Sequence, residues 1–494
     1  MARISFKIVL LGEEKMLRIL ILCTLFINTI FADNLPIYVF PMNNYPQRID
    51  AWVKVESGNR SLIDVKLQNK RFNDLKSHYF GINQDDQSPW SPYFIKQVLK
   101  GTESKNISNT EKYNISHYDN ANNVESKIGY GFNFLPYKSQ WSTRLSNNMN
   151  LSQFDNLQYS SSNRAIAVNK IEAYLVPTED PWYYDYRVAG EGFPFNNNII
   201  SNVYLGTPLY VIGKSLDKRW LLVLTPQFIG WVKAAGIAYV SDSFISSWNK
   251  SVNNSLISII TPDVGLINSN NVLLNSASAG TILPAATINQ TNFSVYVPQR
   301  GINGMAFSTT AFVSNNDAVL MPLLATEANI VKLINKLIGR PYGWGGYMGY
   351  NDCSAEMQAI FTPLGFYMPR NSGQQVNVGK VVDLSSYNAT SRMNYVISHA
   401  NAFMTLIQIQ GHIMLYIGNS KFNNNLVPVI YEDAWGMRKI GENARYVIGK
   451  SVIFPLMLRY PESPLFISFF GNKIFKLSIM NVNAEYYNVL PILY

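Results

Sequence analysis

Arg340-Pro341-Tyr342-Gly343-Trp344-Gly345-Gly346, followed after four residues by Asn351-Asp352-Cys353-Ser354-Ala355-Glu356, decides how the chain is read. A Gly-rich aromatic turn leads into a cysteine. From that cysteine Ala355, Met357, Ile360, Phe361 and Leu364 recur on one helical face, and Gly365 is placed to end the helix. A cysteine in the first helical turn meets unpaired backbone N–H groups and the positive end of the helix dipole, both of which favour a thiolate. The same N–H groups can serve as an oxyanion hole. The alternative is a small buried hydrophobe, the usual fate of a free cysteine. The only other cysteine, Cys23, lies in an apolar leader expected to be removed, which leaves one thiol in the mature protein.

Four histidines are available: His78, His117, His399 and His412. The first two lie far upstream. His412 sits in Gly411-His412-Ile413-Met414-Leu415-Tyr416-Ile417-Gly418, a run of strand-forming residues ending in glycine. A histidine in a strand can be held rigidly against a helix N-terminus, as a Cys–His pair requires; a hydrogen-bonded core histidine is the alternative. Val429-Ile430-Tyr431-Glu432-Asp433-Ala434-Trp435-Gly436 reads as the next strand and bears an acidic pair. Alternation sends Glu432 and Asp433 to opposite faces, so one of them can address His412. Such a carboxylate would accept the imidazole Nδ1–H and stabilise the imidazolium. A solvated surface glutamate is the plainer alternative for Glu432.

In order and spacing these motifs resemble the NlpC family of papain-like cell-wall peptidases, in its multidomain form with two bacterial SH3-like domains. The resemblance rests on Pro341 to Gly346, Asp352-Cys353-Ser354, Pro369-Arg370-Asn371-Ser372 and Gly411-His412. It implies that Cys353 is the nucleophile and His412 the general base. It also implies that Tyr342, Asp352, Ser354, Arg370 and Ser372 line the substrate cleft, and Trp344 and Asn371 of the same motifs join the substrate-binding set. The third catalytic position, usually histidine in this subgroup, is Glu432 here. Asn371 replaces the acid that in relatives helps hold the free amine of a stem-peptide L-Ala, which predicts a weaker hold on that amine.

The 494 residues exceed one domain, and 47% hydrophobic with 13% aromatic content can fill sizeable cores. Charged residues make up only 15%, low for a cytosolic enzyme and ordinary for an exported one. Met16-Leu17-Arg18 and the apolar run Ile19 to Ile30 read as a signal peptide cleaved after Ala32. No later run is apolar and long enough to span a membrane. Residues 1–32 contribute +2 of the formal +9, leaving +7 in a mature chain that would be periplasmic, secreted or wall-associated. This diffuse excess suits an anionic wall or membrane surface, and no basic run with interleaved aromatics points to nucleic acid.

The expected organisation is α+β: a papain-like catalytic domain preceded by two small SH3-like β-barrels and an N-terminal accessory region. Residues 1–32 are the signal peptide and 33–160 the accessory region, in which Gly101 to Asn123 reads as a polar loop. The first SH3-like domain is placed at 161–250, from strands such as Leu209-Tyr210-Val211-Ile212 and Trp220-Leu221-Leu222-Val223-Leu224. Its long loop Ala189-Gly190-Glu191-Gly192-Phe193-Pro194-Phe195 matches the family's first SH3-like domain; it can form one wall of the cleft with Glu191 facing substrate, a purely structural loop being the alternative. The second SH3-like domain is placed at 251–320 and the catalytic domain at 321–494. There Thr326 caps a helix with apolar face Ile330, Leu333, Ile334, Leu337 and Ile338, closed by Gly339. The run Leu465 to Phe470 is strand-like and unassigned.

The reading that follows is an exported cysteine endopeptidase acting on peptidoglycan stem peptides; by resemblance the bond joins D-glutamate to diaminopimelate. No cofactor is implied, and the four histidines and one mature cysteine show no metal-ligand spacing. A wall-binding protein with an inert peptidase domain and a cysteine amidase or acyltransferase on another substrate are the alternatives.

Overall fold

The computed structural model describes residues 37–483 except 57, 59 and 84. The signal-peptide reading, Cys23 and residues 484–494 lie outside the described residues. Within them, three seven-stranded sheets follow one another, with helices ahead of the first and against the last.

The chain opens on β1 (Ile37–Val39). A mostly helical stretch follows, including Val65–Phe80, Gly101–His117 and Ser139–Met149. The segment read as a polar loop is therefore largely a helix. Its composition hides the periodicity, because the face it buries mixes Ile107 and Ile115 with Ser108, Glu111 and Asn114. Glu111 accepts a hydrogen bond from Trp231 Nε1 at 2.7 Å, which satisfies both buried groups.

The first sheet contains β2 (Arg164–Ala167), β3 (Ile171–Tyr174), β4 (Ile199–Val203), β5 (Pro208–Lys214), β6 (Trp220–Leu224), β7 (Ile229–Lys233) and β8 (Ile237–Tyr239). Their antiparallel order is β4-β3-β7-β6-β5-β2-β8. All of Trp220 to Leu224 is buried, because both sheet faces are covered. Leu221 and Val223 pack with Val211 and Phe228 on one face. Trp220, Leu222 and Leu224 meet Ile107, Ile115 and Phe154 of the N-terminal region on the other.

The second sheet contains β9 (Leu256–Ile259), β10 (Val264–Ile267), β11 (Leu273–Ala277), β12 (Ile282–Ile288), β13 (Asn292–Arg300), β14 (Ala306–Ser314) and β15 (Ala318–Leu320). Its order is β11-β10-β14-β13-β12-β9-β15, with its own small core around Ile257, Leu283 and Val295.

The third sheet carries the largest core. Its strands are β1, β16 (Lys380–Asp383), β17 (Thr405–Ile409), β18 (His412–Phe422), β19 (Asn425–Met437), β20 (Arg445–Pro455) and β21 (Phe475–Ile479), in the order β1-β20-β19-β18-β17-β21-β16. The strand-like run Leu465 to Phe470 is not a strand. The chain makes a short turn at Phe469–Gly471, and Phe475–Ile479 then enters the sheet between β17 and β16. Phe40, Tyr45, Ile49 and Trp52 also belong to this core, so the beginning of the N-terminal region packs on the third sheet. The helix Glu327–Leu337 follows its sequence signals: Thr326 Oγ1 accepts from Asn329 N at 3.2 Å, and Gly339 takes φ +84°.

Candidate active site

The Trp-Gly-Gly turn sets the site by a close approach of backbones. Gly345 and Gly346 both have positive φ, 63° and 86°. A Cβ on Gly345 would lie 2.9 Å from the Ile199 carbonyl oxygen, and one on Gly346 would lie 2.4 Å from Asn202 Nδ2. Only glycine fits where the turn docks on β4. Asn202 Nδ2 donates to the Gly346 carbonyl at 2.8 Å, which fastens the two.

The turn delivers the chain to the helix Cys353–Phe361, which is buried all round rather than on one face. Asp352 is its N-cap, with Oδ1 accepting from Ala355 N at 2.9 Å, while Oδ2 accepts from Gly345 N at 3.1 Å. Arg370 closes the network. Its two terminal nitrogens donate to Asp352 at 3.1 and 2.8 Å, one also to Ser354 Oγ at 2.7 Å, and its Nε to Ser201 Oγ at 2.6 Å. Burial opposes the Asp352 charge, but the guanidinium outweighs it and holds the carboxyl below its ordinary range. Asp352, Ser354 and Arg370 thus form the buried support of the helix that starts at Cys353.

Cys353 is 6% exposed at the first helical position. His412, the first residue of β18, interacts with it and with Glu432 of the neighbouring β19. His412 Nε2 lies 2.5 Å from Glu432 Oε2. The nitrogen that addresses the carboxylate is therefore Nε2, not the Nδ1 expected from serine triads, and Nδ1 is left for the thiol. Glu432 is fully buried, which removes the reading as a solvated surface residue. Burial disfavours the imidazolium, yet the neighbouring Cys353 and Glu432 charges raise the His412 pKa well above its ordinary value.

Asp433 points the other way, as alternation requires. It shares a face with Tyr431, whose hydroxyl donates to Glu356 on the Cys353 helix. Asn351 Nδ2 donates to the same carboxyl at 2.6 Å. Asp433 is fully buried, and neither of its carboxyl oxygens has a hydrogen-bond partner. Burial first, then Glu356 and Asp352, push its pKa well above the usual carboxyl range.

Beside His412 opens a cleft of about 340 Å³ lined by Tyr342, Phe195, Trp435, Phe469 and Arg445 among others. Phe195 packs edge-on against both Trp344 and Trp435, with centroids 5.3 Å apart in each pair. From the long loop between β3 and β4 it is Phe195 that lines this cleft, whereas Glu191 has Lys127 and Arg445 as its charged neighbours. Asn371 Oδ1 accepts from Gln374 N at 2.9 Å, capping the short helix that begins at Ser372. The other histidines lie elsewhere: His78 stacks on Tyr367, His117 bonds Tyr184 and His399 stacks on Tyr395. Phe195, Glu356 and Arg445 were given no role by sequence, because the fold places them: Glu356 meets Tyr431 75 residues further on, and Phe195 and Arg445 come together at the cleft.

A model of the NlpC/P60 family matches residues 339–433, and one of the SH3 domain (SH3b1 type) matches residues 181–233. A gamma-D-glutamyl-L-lysine dipeptidyl-peptidase of Bacillus subtilis (strain 168) is 31% identical over 112 residues, which is 22% of this chain and 36% of that protein. The chain therefore matches about a third of that relative's length. The solved structure of an NlpC/P60 endopeptidase from Photobacterium damselae subsp. piscicida superposes with a TM-score of 0.75 at 25% identity, covering 90% of this chain and 99% of that one. The segment that places Cys353 beside His412 and Glu432 is thus a domain of the NlpC/P60 family, carried behind an SH3 domain of the SH3b1 type.

Proposed function

We propose that the protein is a cysteine peptidase of peptidoglycan stem peptides, cutting the γ-D-glutamyl bond to the third-residue diamino acid. The observation that carries this reading is the hydrogen-bonded series Cys353–His412–Glu432 at a helix start. The B. subtilis relative, named for a γ-D-glutamyl bond, supports the choice of bond. With diaminopimelate as the diamino acid, the bond is the one the motifs imply.

In this reading the Cys353 thiolate attacks the γ-carbonyl carbon, and the backbone N–H of Cys353 receives the oxyanion. The C–N bond breaks as His412 gives its proton to the leaving amine, and a thioester remains on Sγ. Water, deprotonated by His412, then hydrolyses the thioester and frees the γ-carboxylate and the thiol. Glu432 keeps the imidazole oriented and offsets its charge throughout. The sheets at 161–250 and 251–320 are read as wall-engaging SH3-like modules, and action outside the cytoplasm fits both these modules and the substrate. Incubating the chain with purified muropeptides and identifying the products by mass tests the proposal. Free L-Ala-D-Glu ends are expected, and release of any other fragment, or none, overturns it.

A further inference from the structure

The cleft beside His412 contains a cation that the catalytic steps do not use. Arg445 opens β20, lines the cleft, and has an Nε that is buried without a hydrogen-bond partner. Arg438 lines the same cleft from the end of β19. The Arg445 guanidinium is pressed under the long loop of the first sheet: a Cβ on Gly190 would lie 2.2 Å from one of its terminal nitrogens. That loop is held there by Ala189 N donating to Asn443 Oδ1 at 3.0 Å and Asn443 Nδ2 donating to the Arg187 carbonyl at 3.2 Å. Glu191 is the opposing charge near Arg445, and Lys127 competes for it. A half-buried guanidinium without a hydrogen-bonded acceptor is costly unless an anion completes it.

The position of the cleft says which part of a substrate would bring that anion. His412 must protonate the leaving amine, so the fragment carrying that amine lies along the side of His412 that faces the cleft. In a stem peptide this fragment is the diamino acid, whose α-carboxyl is one carbon from the leaving nitrogen. When the residue is diaminopimelate, a second carboxyl stands at its far end.

We propose that Arg445, assisted by Arg438, binds a carboxylate on the leaving diamino acid and so selects substrates that carry one there. This rests on the stem-peptide reading and adds the chemistry of its leaving side. Arginine suits the task because its charge is permanent and its planar donors match a carboxylate.

The test compares three tripeptides: L-Ala-γ-D-Glu-meso-diaminopimelate, the same peptide with the α-carboxyl amidated, and L-Ala-γ-D-Glu-L-Lys, which lacks the distal carboxylate. The first is expected to exceed one of the other two in kcat/KM by about 10- to 100-fold, the range of a charged hydrogen bond. The weaker of those two identifies which carboxylate is held. In Arg445→Gln the ratio should fall towards one, with Arg445→Lys between, both judged only after their melting temperatures match the parent. Equal rates on all three peptides, or a ratio unchanged in Arg445→Gln, overturn the inference while leaving the peptidase reading intact. Calorimetric titration of Cys353→Ala with the same peptides separates the two claims. Arg445-dependent binding of the acid without hydrolysis by the parent chain keeps the anion site and rejects the bond assignment. No carboxylate-dependent binding rejects the site.

Discussion

Glu432 and Asp433 are adjacent acids that face opposite ways, and their environments separate them. Glu432 bonds His412, whereas Asp433 is buried and without a hydrogen-bond partner. Removing the Glu432 charge lowers the His412 pKa, so the imidazolium is lost at lower pH. The alkaline limb of kcat/KM should therefore move down in Glu432→Gln, and kcat should fall between about tenfold and about 10⁴-fold, the upper figure being that of the analogous serine-triad change. Asp433→Asn should keep the position of that limb. A pH–rate profile of the two variants decides it, and an unmoved limb in Glu432→Gln removes Glu432 from the orienting role. At this scale the sequence was legible in placement, since Cys353 does open its helix and His412 does begin a strand beside it. It was silent on Arg445, a lone arginine in an ordinary strand until the fold brings Gly190 against it.

At the scale of elements, the Trp-Gly-Gly turn is a joint between two sheets. Gly345→Ala meets both a left-handed backbone and the Ile199 carbonyl. Gly441→Ala has a similar φ, +77°, with nothing within 4 Å of the new Cβ. The second should cost about 1–2 kcal/mol, the backbone term alone. The first should cost more, by on the order of 2 kcal/mol, as β4 and the turn are forced apart. Denaturant unfolding of both variants measures the difference, and equal losses would mean that the close approach is not what requires glycine. Strands such as Trp220–Leu224 were readable because a run of apolar residues has few other uses. The helix Gly101–His117 was not, because it buries Ser108 and Glu111 through hydrogen bonds with Asp155 and Trp231 that polar composition does not reveal. The Cys353 helix was readable in kind but not in burial, since Glu356 is enclosed by Asn351 and the distant Tyr431, and Gln358 donates to the Met368 carbonyl.

For the molecule as a whole, Glu111 ties the N-terminal helices to the first sheet, and burial pushes its pKa up to about 8. Between its ordinary value of 4.5 and about 8 the folded chain keeps a proton that the unfolded chain has released. Stability therefore falls as pH rises through that window. Glu111→Gln keeps the acceptor for Trp231 and cannot ionise, so it should match the parent near pH 4 and exceed it by on the order of 5 kcal/mol at pH 9. Melting curves across that range check the sign, and a variant less stable than the parent at pH 9 rejects it. That an SH3-like domain precedes the NlpC/P60 domain was legible from motifs and strand spacing. That Phe40 to Trp52 pack on the third sheet was not, because pairing of β1 with β20 spans about four hundred residues and leaves no local signal. The central claim is that Cys353, paired with His412, cuts the γ-D-glutamyl bond. Mass analysis of purified muropeptides incubated with the parent chain and with Cys353→Ala tests it most directly. The account predicts L-Ala-D-Glu ends from the parent and none from the variant; the same ends from Cys353→Ala, or intact muropeptides from both, would contradict it.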